Sequence, residues 1–357
     1  MKKTAALATA LLIIIPASAM FPFFATSQDP PVTTLYSRSY SNYTLELGAV
    51  YETNTYGDFK YILEDYAVRF GDRLETIFDR VGLTAFANDR PLNDGETSAS
   101  YQGTDVQFVI HRIPTGAMEI SFSGDNEAFF DLPAGMSALE AGDDGVVVGD
   151  GKISSTLFLA GSGTLEAVPG GVLASVSDGS RLLFRANPGQ DSFVASGIAQ
   201  GKVAGEVFAT STASNVVEDT IAFLDVEVGT IVTTNDTYTA SVSGSLAVGK
   251  VIIFNVDRAV LPKLDSGEMR VEVGGAGARA SESLASIFYE TGAQPKYFVA
   301  ADGDWLQVHV YVPSLDGDAT VTFEPSENPF GLDEIAGAMA AVVMVCFATV
   351  FVFYRRD

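Results

Sequence analysis

Few residues in this chain are equipped for chemistry. Across 357 residues there are two histidines, His111 and His309, and one cysteine, Cys346. Each histidine sits in a stretch that alternates like a β-strand, VQFVIHRI or WLQVHVYV, on the side that reads as polar. Neither has the H-E-x-x-H or H-x-x-x-H spacing of a helical metal site, and no serine lies in a G-x-S-x-G elbow. Catalytic triads are defined by geometry, so one assembled across the fold stays open at this stage, with satisfied strand histidines as the better reading. Three carboxylate pairs, Asp143/Asp144, Asp302/Asp304 and Asp316/Asp318, are candidate ligands for calcium, which takes several oxygens from a loop. The spacing of a dedicated calcium loop is absent, and most of these aspartates adjoin glycine, where turn formation already explains them. No other cofactor is expected.

Two further patterns touch on modification and binding. Asn42-Tyr43-Thr44 and Asn235-Asp236-Thr237 are N-glycosylation acceptors if they meet the export machinery. GAGARA at 275–280 copies the G-x-G-x-x-A turn of dinucleotide sites. A working site needs a parallel βαβ unit and an acid on the next strand. The strand-like segment after it is the β-rich PKYFVAADG, so the glycines read as a flexible turn leading into a helix.

The elements that must carry these residues are bounded first by charge. With 21 Lys and Arg against 45 Asp and Glu, the net charge is −24. Such a surface repels phosphate backbones, which excludes nucleic acid as a partner. A lone cysteine allows no intramolecular disulfide, so the body must be stabilised by core burial.

Residues 335–354 form an uncharged run with nine Ile, Val or Phe. As a helix it would be about 30 Å long, enough to span a bilayer. Arg355 and Arg356 follow it while Asp333 and Glu334 precede it, which places the C-terminus in the cytoplasm. Gly337 and Ala341 stand four apart, a spacing that suits close helix packing and self-association in the membrane. At the other end, Lys2 and Lys3, the apolar Ala5–Ile15 and Ala17-Ser18-Ala19 compose a signal peptide, with a retained anchor as the alternative.

The expected organisation is a signal segment at 1–27, an α+β region at 28–140, a β-rich domain at 141–260, a membrane-proximal β-rich unit at 261–325, a stem at 326–334, the membrane helix at 335–354 and a cytoplasmic tail at 355–357. The fold class is mainly β, an antiparallel sandwich-like ectodomain with a small α+β part and one membrane helix. In FKYILEDYAVRFGDRLETIFDRVGL, Ile62, Tyr66, Phe70, Leu74, Phe78 and Val81 recur at steps of three or four, which predicts a helix. From 141 onward, short β-type runs are punctuated by glycine, and Asp-Gly at 144–145, 150–151 and 178–179 supplies positive-φ residues for tight hairpins. SESLASIFYETG is a short helix candidate. WLQVHVYV places Leu306, Val308, Val310 and Val312 on one face, expected to be the core face.

KVIIFNVDRAV, then MRVEV, a short helix, PKYFVAADGDWLQVHVYVPS and a terminal anchor resemble the membrane-proximal β-unit of archaeal membrane-anchored cell-surface proteins. The likeness covers about residues 250–357 and implies location and fold without any catalytic residue. The functional expectation is therefore a membrane-tethered extracellular protein with a structural, adhesive or partner-binding role. Its partners would be the bilayer through 335–354 and a surface protein or glycan. The alternative is an anchored hydrolase or small-ligand-binding protein with its site in a cleft between domains.

Overall fold

A computed structural model describes residues 36–325, apart from 41–42, 48–54, 57–58, 71–72, 85–92, 95–97, 112–114, 188–191, 212–215, 235–236, 262–268 and 303–304. The signal segment, stem, membrane run, Asn42, Asn235, Asp304, Gly337, Ala341 and Cys346 lie outside the described residues. Among the described residues no helix is long and apolar enough to cross a membrane.

The protein is mainly β, arranged as four sheets. Sheet I contains β1 (Tyr36–Tyr40), β2 (Tyr43–Leu47), β3 (Thr55–Tyr56), β4 (Phe59–Phe70), β5 (Arg73–Leu83), β10 (Asn126–Asp131), β14 (Gly163–Val168) and β15 (Gly171–Val176), in the order β1-β2-β4-β5-β10-β15-β14 with β3 beside β4. Sheet II contains β6 (Asn93–Asp94), β7 (Ser98–Gln102), β8 (Val106–His111), β9 (Ala117–Phe122), β11 (Ser137–Glu140), β12 (Gly145–Gly149), β13 (Ser154–Ala160) and β16 (Arg181–Asn187), in the order β11-β12-β13-β16-β9-β8-β7-β6. A first helix, α1 (Ser192–Ala199), leads into sheets III and IV.

Sheet III contains β17 (Val203–Ser211), β18 (Val216–Ala222), β21 (Lys250–Asp257), β24 (Arg279–Ala280), β25 (Lys296–Asp302) and β26 (Trp305–Val312), in the order β18-β17-β21-β26-β25-β24. Sheet IV contains β19 (Val226–Thr233), β20 (Tyr238–Leu246), β22 (Met269–Val273), β23 (Ala276–Gly277) and β27 (Leu315–Pro325), in the order β19-β20-β27-β22-β23. A second helix, α2 (Leu284–Tyr289), lies between β24 and β25. The pairs β17–β21 and β24–β25 are parallel, so sheet III is mixed.

Sheets I and II pack over one core, with Tyr66, Phe78 and Phe130 from sheet I meeting Phe108, Ile120 and Phe184 from sheet II. Phe184 stands at its centre, 5.5 Å from the Tyr66 ring and 4.8 Å from the Phe78 ring, both edge-on. That geometry puts positive ring edges against negative faces. Sheets III and IV share a second core, where Phe254 meets Tyr238 and Phe323. The expected face of WLQVHVYV, Leu306, Val308, Val310 and Val312, lies in this core.

The helix expected over 59–83 is instead the hairpin of β4 and β5, paired antiparallel from Lys60↔Leu83 to Phe70↔Arg73. Steps of four satisfy a period of two as well as one of 3.6, so Ile62, Tyr66, Phe70, Leu74 and Phe78 never distinguished the two. Two register shifts, between Tyr61/Leu63 and Tyr66/Ala67, supply the odd step, and Asp65 takes a φ of 52° between them. The α+β part expected at 28–140 is therefore β throughout its described length. The short helix within SESLASIFYETG does form, as α2, with the Ser283 hydroxyl accepting from Ser286 N at 3.3 Å. In contrast, α1 has no counterpart in the sequence reading.

The boundaries expected at 140/141 and 260/261 do not separate sheets. Strands β14 and β15 complete sheet I, and β21 from before the second boundary pairs with β26 from beyond it. The partition between sheet pairs falls between Asn187 and Val203, where α1 lies. β27, the last strand of the unit expected at 261–325, is a central strand of sheet IV and ends at Pro325, just before the residues expected as stem. Of the three Asp-Gly turns, Gly151 and Gly179 adopt φ of 85° and 76°. Gly145 is needed for another reason, since a Cβ there would lie 2.3 Å from Ala199 Cα of α1.

Replacing Phe184 by alanine should remove its edge-on contacts with Tyr66 and Phe78, leave a cavity and cost about 3–5 kcal/mol. Urea unfolding of the full-length variant against the parent measures this.

Candidate functional site

The outer faces of sheets II and III are not solvent surfaces. They face one another, and the space between them is filled by Phe158, Leu183, Phe208, Ile253, Ile198 of α1 and Phe288 of α2, among others. Alternation along the strands explains how: in β16, Leu182, Phe184 and Ala186 point into the first core, while Leu183 and Arg185 point outward into this junction. A row crosses sheet II through Thr156, Arg185, Ala117 and His111. Another crosses sheet III through Ile221, Glu206, Ile253, His309 and Phe298.

Where the rows meet, Arg185 and Glu206 form a bidentate ion pair, with Arg185 1% and Glu206 0% exposed. Arg185 Nη2 donates to Glu206 Oε1 at 2.7 Å and Arg185 Nε to Oε2. Asn255 Nδ2 also donates to Glu206 Oε1 at 2.7 Å, and Gln307 Nε2 donates to Asn255 Oδ1 at 2.8 Å. The pair thus ends a hydrogen-bonded chain drawn from β16, β17, β21 and β26, its last two members the Asn255 and Gln307 amides. Two lesser links run beside it. Arg181 Nη2 donates to the Ala222 carbonyl at 3.1 Å, and Thr156 Oγ1 to the Ala195 carbonyl of α1 at 3.0 Å.

Both histidines belong to this junction, which corrects their placement on polar faces. His111 is 6% exposed, and its Nδ1–H donates to the Asp219 carboxylate, 3.0 Å from each oxygen. Among the described residues its Nε2 meets no hydrogen-bond partner. His309 is fully buried between the Phe288 and Phe298 rings, and neither ring nitrogen finds a hydrogen-bond partner. Burial first, and the Arg185 charge second, pull its pKa down to about 3, against a smaller opposing effect of the Phe298 backbone. The ring is therefore neutral at ordinary pH. Trp305, Gln307, His309 and Tyr311 are the face of β26 that a one-core strand would leave to solvent.

The described calcium candidates sit on different elements. Asp143 and Asp144 are exposed between β11 and β12, Asp302 ends β25, and Asp316 and Asp318 are exposed on β27, opposite Ser245 and Ser243. Among the described residues no three His, Cys, Asp or Glu side chains are grouped to hold a metal. GAGARA forms β23, β24 and the turn before them, with Gly274 and Gly275 at φ of 57° and 78°. It carries the chain from sheet IV to sheet III on the way to α2. Among the described residues, one surface hollow of about 610 Å³ lies beside Thr84, Asn126 and Thr164 and another of about 430 Å³ beside Ser241, Asp318 and Thr320. Neither is lined by a histidine.

No family model matches the chain, and no curated protein matches it. Among solved structures, a glycoside hydrolase of family 81 from Clostridium thermocellum aligns at 8% identity and a TM-score of 0.29, over 80% of this chain and 36% of that one. A family 31 α-xylosidase from Xanthomonas citri aligns at 7% identity and a TM-score of 0.13, over 83% of this chain and 38% of that one. The chain spans little more than a third of either structure's length, and superpositions this loose carry no argument about fold or activity.

Removing one member of a buried pair strands the other's charge and costs about 3–5 kcal/mol, whereas replacing both with apolar groups costs far less. Arg185→Met and Glu206→Leu should each destabilise strongly, and the double variant by much less than their sum; a double-mutant cycle by urea unfolding reads the coupling. The sign for His309 is set by its depressed pKa. Unfolded, it binds a proton near pH 6.5; folded, only near pH 3. Its contribution to stability is therefore complete above about pH 6.5 and is lost as pH falls toward 3, at up to about 1.4 kcal/mol per pH unit. Between about pH 6 and pH 4, His309→Leu should show a shallower fall in unfolding free energy than the parent, the common carboxylate titrations cancelling in the comparison.

Proposed function

We propose that this protein is a membrane-tethered extracellular surface protein whose β-rich body serves a structural, adhesive or partner-binding role. In this reading residues 335–354 are a single membrane helix, Arg355 and Arg356 face the cytoplasm, and the four sheets form the ectodomain. Asn42 and Asn235 are then available to glycosylation on the outside, and Gly337 and Ala341 to helix packing in the bilayer.

The observation that carries the functional half is the fate of the titratable residues. His111, His309, Arg185 and Glu206 are all enclosed in the junction between sheets II and III, at 6% exposure or less. A catalytic site of the alternative kind needs a cleft between the sheet pairs, and that space is taken up by packed side chains. The outside is left with broad sheet surface and strand edges such as β14, β11 and β19, features suited to contact and support. A net charge of −24 is consistent with a body that stays soluble in a crowded or salty exterior.

Topology is the decisive test. Protease added to intact cells should remove the body and leave a short C-terminal fragment carrying a tag fused after Asp357. Loss of that tag to external protease would overturn the orientation, and an intact body would overturn the surface location.

A further inference from the structure

Among the described residues, the large apolar side chains left exposed are few, and three of them gather in one place. Phe193 at the start of α1 is 40% exposed, Tyr289 at the end of α2 51%, and Val248 in the turn before β21 64%. The Phe193 and Tyr289 rings meet edge-on at 6.1 Å. Lys202 Nζ lies 3.9 Å from the centre of the Tyr289 ring. Lys250, two residues beyond Val248, donates from Nζ to the Gly201 carbonyl at 2.6 Å, and Val251 N donates to the Lys202 carbonyl at 2.8 Å. Three chain segments thus bring exposed apolar groups and two ammonium groups to one rim of the junction.

The lysines bring positive charge to this apolar rim. In a chain with 45 acids, Arg80, Arg181, Arg185, Arg270 and Lys296 each have a carboxylate partner. Among the described residues Lys202 and Lys250, like Lys152 and Arg279, have none, but these two stand beside exposed apolar groups, where a ring face and a carbonyl are what they meet. Burial also holds the Lys202 ammonium below the ordinary lysine range, a cost that an arriving carboxylate would relieve. An apolar patch with uncompensated positive charge fits a partner surface that is acidic and offers some apolar contact.

We propose that this rim docks an acidic face of a second copy of the chain. The occupant is indicated by charge: a net −24 guarantees carboxylate-dense surface on any neighbouring copy. Asp316 and Asp318, exposed on sheet IV, which takes no part in the junction, are suitable counterparts. Patch and counterpart are different surfaces, so the contact is heterologous and propagates into rings or open arrays. The inference rests on the surface-protein reading for its purpose, since copies anchored in one membrane meet at high local concentration.

The test uses full-length protein in membranes, with copies of natural and nitrogen-15 isotopic content mixed and coupled by a zero-length carbodiimide. Mass spectrometry should find mixed-isotope peptides joining Lys202 or Lys250 to an aspartate or glutamate. Tyr289→Ser, an exposed substitution, should reduce them severalfold, and so should salt raised to about 1 M, where the screening length is about 3 Å. Lys202→Gln should abolish the Lys202 products alone. Mixed-isotope products that avoid both lysines, or that persist unchanged in Tyr289→Ser, would overturn the proposal, as would coupling of these lysines to a different protein. The protease experiment on topology is independent, so failure of docking and failure of the surface assignment are told apart.

Discussion

The paired charges of Arg185 and Glu206 govern how the two halves of this protein fit together. Each charge loses its water on folding, and among the described residues the other, with Asn255 behind it, compensates. Apolar packing alone is tolerant of sliding, because one hydrophobic contact replaces another at little cost. A bidentate pair is not. Displacing sheet III against sheet II would leave a guanidinium or a carboxylate buried alone, so the pair selects one alignment out of many that the surrounding Phe, Leu and Ile side chains would accept. That is a role in specificity more than in net stability.

The consequences run outward along the strands. Once the outer faces of β16, β17, β21 and β26 are committed to the junction, these strands are buried on both sides and lose the simple polar–apolar alternation of a one-core sheet. His309 is enclosed as a neutral ring, and His111 is used up on Asp219. Thr156 is held by α1, and the two helices fill the rim where the sheets diverge. Gly142 and Gly145 let the β11–β12 connection approach the end of α1 so closely that any side chain would collide with the Ala199 backbone. A body with no described disulfide obtains its rigidity from three stacked cores, two within sheet pairs and one between them.

The same closure accounts for the functional character. His111, His309, Arg185 and Glu206 are enclosed in the junction, while the described surface is built from short strands, glycine turns and carboxylates. The rim of exposed aromatics and lysines without carboxylate partners is the one departure from that described surface that the junction itself creates, since α1, α2 and the turn before β21 meet only because the sheets do.

By itself the amino-acid sequence determined the class of the protein and the identity of most strands from β8 onward. Glycine spacing and period-two alternation act over a few residues and need no tertiary context. The turns at Gly151 and Gly179 and the helix α2 were legible for the same reason, as was the core face Leu306–Val312 of β26. The β4–β5 hairpin was not, because steps of four fit either period and the register shifts that decide the matter arise from pairing. Nor was the burial of His111, Arg185, Glu206 and His309. Each lies at a position that alternation assigns to the outside, and whether an outer face meets water or another sheet depends on partners far away in the chain. Tertiary structure alone brought Arg185 of β16 to Glu206 of β17 across the junction, because a buried ion pair forms only when both sheets already exist to exclude the water between them.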